Sequence, residues 1–210
     1  MTEAALLDAA GFQARTGVSD AVMADLETFR QRLETANAHM NLVGPASLPD
    51  YWNRHVLDSA QLLDHAPDAL TWADLGAGAG FPGVVLAILL KGRPDAHVWL
   101  IDSLNKRCKF LQAVVDELAL PATVIWGRAE EQRVTVDIVT ARAVAAMETL
   151  LGYAQPCFDR GAQGLFLKGE KAEAELTQAW KSWRFEAECV PSRSDPRGRV
   201  VKVGSVRRVR

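Results

Sequence analysis

The chain has 210 residues, 49% of them apolar and 24% charged, with a formal net charge of −2. That length fits one domain of ordinary core size, and the composition excludes disordered, fibrous and collagen-like classes. The longest apolar run, residues 84–90, is far short of the ~20 residues that cross a bilayer.

Acids fall within the first eight residues, Glu3 and Asp8, which argues against a signal peptide. A cytoplasmic protein without membrane attachment is expected. Cys108, Cys157 and Cys189 are far apart and show no C-x-x-C or Cys/His clustering, so reduced, packed thiols and no metal site are expected. The charge is unevenly spread. Residues 191–210 carry +6 (Arg193, Arg197, Arg199, Lys202, Arg207, Arg208 and Arg210 against Asp195), which leaves −8 on the remainder. Such a tail suits a polyanion partner, and equally the charged decoration of an edge strand.

Ser19 suits a helix N-cap, and after it Val22, Leu26, Phe29 and Leu33 recur at the spacing of one helix face. This amphipathic helix should end before Gly44-Pro45. A second helix is expected over residues 48–65, carrying Arg54, His55, Asp58 and Ser59. Residues 1–65 therefore read as a helical cap on a unit spanning 66–210, the whole forming one compact body.

Past Ala66-Pro67 the pattern changes to short apolar runs alternating with helical periodicity. Strands are expected at 71–75, 98–101, 123–126, 136–140 and 164–167, and helices at 82–90, 105–118, 146–158 and 171–180. That alternation predicts an α/β fold with a parallel sheet. Residues 184–206 leave no room for a helix between two strand-like runs and predict a closing hairpin.

The first strand runs into Gly76-Ala77-Gly78-Ala79-Gly80, and Pro82 then suits a first helical turn. Close-approaching backbone at the carboxyl edge of such a sheet is a nucleotide cradle. The spacing is G-x-G-x-G rather than the G-x-G-x-x-G of dinucleotide folds. Asp74, two residues before the first glycine, would repel phosphates but suit the ammonium and sulfonium charges of S-adenosylmethionine (AdoMet). Asp102, ending the second strand, is placed to accept from both ribose hydroxyls. Loop, Asp74 and Asp102 together point to an AdoMet-dependent methyltransferase.

Arg128-Ala129-Glu130 follows the third strand, where this architecture places the adenine; Glu130 equally suits a helix start. The run at 137–144 has no Asn- or Asp-Pro-Pro-aromatic motif, which disfavours methylation of exocyclic amino groups. Carbon-5 cytosine methylation needs a cysteine nucleophile beside the cofactor, whereas Cys108 and Cys157 fall on predicted helices.

Asn41-Leu42, Arg54-His55-Val56-Leu57-Asp58-Ser59, Gly76 to Gly83 with its Phe81-Pro82-Gly83 ending, Asp102-Ser103, Lys106-Arg107, Phe110-Leu111, Arg128-Ala129-Glu130, Arg142-Ala143 and Lys168-Gly169 occur in order. This series resembles the bacterial glucose-inhibited division protein B family, the small-subunit ribosomal RNA guanine-N7 methyltransferases. The resemblance spans about residues 37–175. It implies a class I methyltransferase fold, Rossmann-like with a mostly parallel seven-stranded sheet and a C-terminal antiparallel hairpin. It also implies AdoMet as cofactor, and a guanosine of 16S rRNA near the decoding centre as substrate.

Carried over by position, the family's cofactor contacts fall on Gly76, Phe81, Ala129, Glu130 and Arg142, beside Asp74, Gly78 and Asp102 from the loop argument. Val43, where the family usually has threonine, and Ala77, where serine or threonine is common, are departures. Phe81 suits stacking near cofactor or base, or packing beneath the loop.

Guanine N7 has an in-plane lone pair and no proton, so this substrate demands positioning and no catalytic acid or base. RNA contacts are expected from Arg54, His55, Lys106, Arg107 and Lys168, whose segments reach the sheet's carboxyl edge, with a helix-packing or surface histidine the alternative for His55. Lys106, Arg107 and Lys109 sit in a first helical turn where cations oppose the helix dipole, a conflict an anionic partner would relieve; facing solvent is the alternative. Asp58 suits an i, i+4 bridge with Arg54. A monomer bound to 16S rRNA or the small subunit is expected. The alternatives are an AdoMet enzyme acting on a protein or small molecule, and a non-catalytic ribosome-assembly factor.

Overall fold

The structure, a computed structural model, describes residues 7–44 and 47–209. The opening residues before Leu7, the Pro45 half of the Gly44-Pro45 breaker and Arg210 lie outside the described residues.

The chain begins with α1 (Ala9–Thr16), capped by Asp8, whose carboxylate accepts from Gly11 N–H, and ended by Gly17 at φ 68°. No periodicity announces this short helix; it forms because Phe12 buries fully against Trp52, ring centroids 5.6 Å apart. The next helix, α2 (Asp20–Met40), starts at Ser19, whose hydroxyl accepts from Val22 N–H, and buries Leu26, Phe29, Leu33 and Asn37. The expected α-helix over 48–65 is instead a π-helical segment, Tyr51–Leu57, running into the short turns α3 (Asp58–Ala60) and α4 (Leu62–His65). A π-turn widens the helix and re-aims its side chains. Here it buries Tyr51, Trp52, His55, Val56 and Leu57 together while leaving Arg54 exposed.

From Thr71 onward strands and helices alternate as β1 (Thr71–Leu75), α5 (Gly83–Leu90), β2 (His97–Asp102), α6 (Asn105–Leu118), β3 (Ala122–Trp126), β4 (Ile138–Arg142), α7 (Met147–Phe158), β5 (Gln163–Lys168), α8 (Ala172–Ala179), β6 (Trp183–Pro191) and β7 (Arg199–Arg208). One seven-stranded sheet in the order β3-β2-β1-β4-β5-β7-β6 results, parallel except for β7, which runs antiparallel to both β5 and β6. Successive strand residues feed opposite faces. Trp72, Val98, Leu100, Leu165, Leu167 and Val200 pack with α2, the π-helical segment, α5 and α6; Ala73, Leu75, Ile101, Val139, Phe166 and Val201 pack with α7 and α8. The N-terminal helices thus share the core on one face of the sheet, and the carboxyl ends of β1, β2, β4 and β5 stay clear on one edge. No helix among the described residues is long and apolar enough to cross a membrane.

Candidate active site at the carboxyl edge of the sheet

At the end of β1 the chain turns sharply: Gly76 and Ala77 both donate to Ile101 O, and Gly76 takes φ 69°. A Cβ there would lie 2.7 Å from Val144 Cγ2, so only glycine fits. Gly78 N–H donates 2.9 Å to Asp102 Oδ2, which ties the tip of the loop to the end of β2. The next glycine that matters is Gly83 at the start of α5, where a Cβ would stand 2.6 Å from Asp74 Oδ2 and 2.3 Å from Leu100 Cδ2.

That close approach explains Asp74. Its carboxylate is fully buried beneath the loop, where Oδ2 accepts from Gly83 N–H at 2.8 Å while Oδ1 has no hydrogen-bond partner. Burial raises its pKa from 3.8 to about 7, with the Gly83 bond and the Arg142 charge opposing the rise. Asp102 is likewise buried: Oδ1 accepts from Leu104 N–H, Oδ2 from Gly78 N–H, and Arg107 lies 3.6 Å away. Ribose hydroxyls would therefore have to share these oxygens through their second lone pairs or displace the loop amide.

Beside the loop four residues converge on Arg142 at the end of β4. Its Nη1 donates to Arg54 O and lies 3.7 Å from Asp58 Oδ2, its Nη2 donates to His55 Nδ1 at 2.9 Å, and its guanidinium lies 4.8 Å over the Phe81 ring. Burial pushes the guanidinium below its ordinary value, against the pull of Asp58 and Asp74; an arginine nonetheless keeps its charge. His55 stacks on Phe81 at 4.6 Å and 18°. Phe81 is itself 3% exposed and also meets Phe29 and Tyr51. It packs beneath the loop and also lines the cavity.

The residues expected to contact RNA differ in exposure. His55 is 4% exposed with both ring nitrogens bonded, and burial with the Arg142 and Arg54 charges pushes its pKa down to about 3. It is a packed histidine held in its neutral form at the cavity. The Lys168 side chain is 9% exposed; it donates to Ala145 O and pairs with Glu175, which in turn accepts from Met147 N–H at the start of α7. It braces the cavity floor.

Lys106 lies exposed and reaches His39 O at 3.4 Å. Arg54 and Arg107 line the cavity. Asp58 does not bridge Arg54; it pairs with Arg142 and accepts from Gln61, Ser192 and Ser194.

These last two serines belong to the turn between β6 and β7, which local sequence spacing did not connect with the site. The turn folds onto the π-helical segment: Asn53 donates to Ser194 O, Arg193 N–H donates to Gln61 Oε1, and the Arg193 side chain pairs with Asp64. Together with the loop after Asn41 it walls a cavity of about 1170 Å³ whose lining runs from Gly76–Ala79 and Ala143–Ala146 to Arg54, Arg107 and Arg197. Ala143, on the floor, holds φ 55°, a strained backbone of the kind found at ligand sites.

Ala129 and Glu130 lie on a short 3₁₀ turn after β3, outside this cavity, with Glu130 3.7 Å from Arg128. Near them Trp126 is 64% exposed and donates to Ser103 O, and Leu104 is exposed too. Cys108 and Cys157 are buried, and burial raises both thiols, Cys157 to about 11. Neither is a nucleophile in waiting. Among the described residues no cluster of metal-ligating side chains occurs.

Sheet order, glycine turn and buried carboxylates together define a class I methyltransferase fold. Solved structures share it: a cofactor-bound protein, Rv0187 from MTB, matches with a TM-score of 0.61 at 15% identity over 96% of this chain and 98% of that one. An SAH-bound methyltransferase of Podospora anserina matches at 0.59 and 12% identity, over 93% and 92%. Sequence relationship narrows the class. The GidB family model, described as rRNA small subunit methyltransferase G, matches residues 22–197. A ribosomal RNA small subunit methyltransferase G of Caulobacter vibrioides is 57% identical over 98% of this chain and 95% of its own length. That of Parvibaculum lavamentivorans is 43% identical over 94% and 89%. The chain belongs to the GidB family of small-subunit ribosomal RNA methyltransferases.

Proposed function

We propose that this chain methylates N7 of a guanosine in 16S rRNA, near the decoding centre, using AdoMet. The observation that carries the reading is a cavity beside the glycine turn, lined by Arg54, Arg107 and Arg197, whose lining histidine is no free base. His55 has its Nδ1 lone pair engaged by Arg142, and the buried thiols are held protonated. Guanine N7 is an acceptor that needs none, because its lone pair lies in the ring plane and carries no proton.

The residues present fit the cofactor. The Gly76–Gly78 turn offers closely approachable backbone, Asp74 Oδ1 is a buried carboxylate oxygen lacking a partner, and Asp102 closes β2 beside the loop. When bound, AdoMet supplies an electrophilic methyl on a sulfonium. Gly76, Gly78, Asp74 and Asp102 hold it in this reading, with Ala129 and Glu130 at the adenine end and Arg142 at the cavity floor. Phe81 supports them from beneath. The protein's remaining task is to hold N7 in line, a positioning effect that supplies up to ~7–11 kcal/mol in favourable systems.

In A-form RNA the N7 edge faces a deep, narrow groove, so the target guanosine is unpaired or flipped out. Arg54, Arg107 and Arg197 at the cavity and Lys106 on the adjoining surface meet its phosphates in this reading. The reading also takes residues 1–65 as a cap on the catalytic unit, and the chain as a cytoplasmic monomer. The test is incubation with AdoMet and unmethylated small ribosomal subunits, followed by reduction and strand cleavage at N7-methylguanosine. One cleavage site in 16S rRNA is expected. No site, under conditions where the chain binds AdoMet, would overturn the proposal.

A further inference from the structure

His55 and Ser47 form a chain of hydrogen bonds across the cavity that the methyl-transfer reading leaves unused. Arginine is a donor only, so in the 2.9 Å contact with Arg142 Nη2 the His55 Nδ1 must accept. The ring is neutral, so Nε2 carries its proton and donates to Ser47 Oγ at 3.0 Å. Ser47 Oγ in turn donates to Gly44 O at 2.7 Å. One end of the relay is the cavity floor at the close of β4. The other is the wall formed by Leu42, Val43, Gly44 and Ser47, whose Val43 N–H is anchored to Asn37 on α2.

We propose that His55 is a positioning residue, locked as the Nε2–H tautomer by Arg142, that holds the Leu42–Gly44 and Ser47 wall in place to receive the target nucleotide. This rests on reading the cavity as the substrate site. The two ends of the relay are unequally supported. Arg142 keeps Arg54 O, Asp58 and Phe81 if His55 is lost. Ser47 Oγ keeps only Gly44 O, within its own turn. Loss of His55 should therefore leave the floor and the Asn37-anchored Val43 in place and free the Ser47 end of the wall, so the damage falls on substrate capture and not on the cofactor side.

Two near-isosteres separate the two bonds. The amide oxygen of His55→Asn falls near the place of Nδ1 and keeps the Arg142 bond without reaching Ser47. The amide nitrogen of His55→Gln falls near Nε2 and keeps the Ser47 bond. With unmethylated small subunits varied at saturating AdoMet, Ser47→Ala and His55→Asn should each raise KM about tenfold, the effect of losing one hydrogen bond. His55→Gln should stay within about threefold of wild type, and kcat and the AdoMet Kd within about threefold throughout.

A mixture in which small subunits bind without turnover should show the same order in Kd. Ring nitrogen NMR of the wild type should show His55 as the Nε2–H tautomer down to about pH 5. An unchanged KM in Ser47→Ala, rescue by His55→Asn but not His55→Gln, or a His55 ring that protonates near its ordinary value would each overturn the inference. Should a His55 variant not fold, Ser47→Ala and the wild-type spectrum decide. A wild type that makes no N7-methylguanosine would sink the proposed reaction instead, and the order of Kd values would then judge the wall on its own.

Discussion

Replacing Asp74 by asparagine probes the carboxylate beneath the glycine turn and separates its structural cost from its use. The side chain is fully buried and its pKa stands at about 7 against an ordinary 3.8. A group whose pKa is raised on folding binds more protons folded than unfolded between those values, so stability is fullest below the ordinary pKa and falls as pH rises through the folded one. The span from 3.8 to about 7 amounts to about 4 kcal/mol at about 1.4 kcal/mol per pH unit. An asparagine in its place carries no such cost. The amide oxygen can keep the Gly83 bond, while the amide hydrogens occupy the partnerless Oδ1 side at a pH-independent cost of roughly 1–3 kcal/mol.

In urea unfolding at pH 5 and pH 8, the Asp74→Asn chain should therefore gain on wild type by about 3 kcal/mol across the interval, and its affinity for cationic AdoMet should fall. Wild-type affinity should rise with pH through the same window as Asp74 ionises; the variant's should not. A stability gap that is the same at both pH values, to within about 1 kcal/mol, would refute the argument that burial governs Asp74.

Gly76→Ala should weaken AdoMet binding by at least about tenfold by calorimetry and destabilise the fold by roughly 1–2 kcal/mol, because it strains φ 69° and presses on Val144. Asp58→Ala removes the acceptor that joins Gln61, Ser192, Ser194 and Arg142. It should cost about 2–4 kcal/mol in urea unfolding and open the β6–β7 turn to tryptic cleavage at Arg193 or Arg197. Cys108→Ala with Cys157→Ala should leave methyl transfer within about twofold of wild type, since neither thiol takes part in chemistry; loss of turnover in a folded double variant would restore a cysteine mechanism.

How much of this was legible in the sequence varies with how local each feature is. The strands and the helices α5 to α8 announced themselves through period, glycine and proline, because each buries a face that its own side chains define. The π-helical segment did not: the mixed apolar and polar run Tyr51–Leu57 looks the same whether each turn holds 3.6 residues or more. Its extra width turns His55 inward and Arg54 outward, so a pair that reads as two adjacent cations serves two different purposes. Lys168 likewise reads as a cation at a strand end, and only the later Glu175 reveals it as a brace. The β6–β7 turn lay furthest from view. Its contacts with Asp58 and Gln61 span more than 130 residues, and no periodicity encodes a pairing at that distance. The basic tail thus has a structural reason beyond polyanion binding or edge decoration: Arg193 clamps the turn to Gln61 and Asp64, and Arg197 is carried to the cavity by the same clamp. A mouth assembled from segments before β1 and between β6 and β7 can form only once the sheet has closed, which ties the cavity wall to completion of the fold.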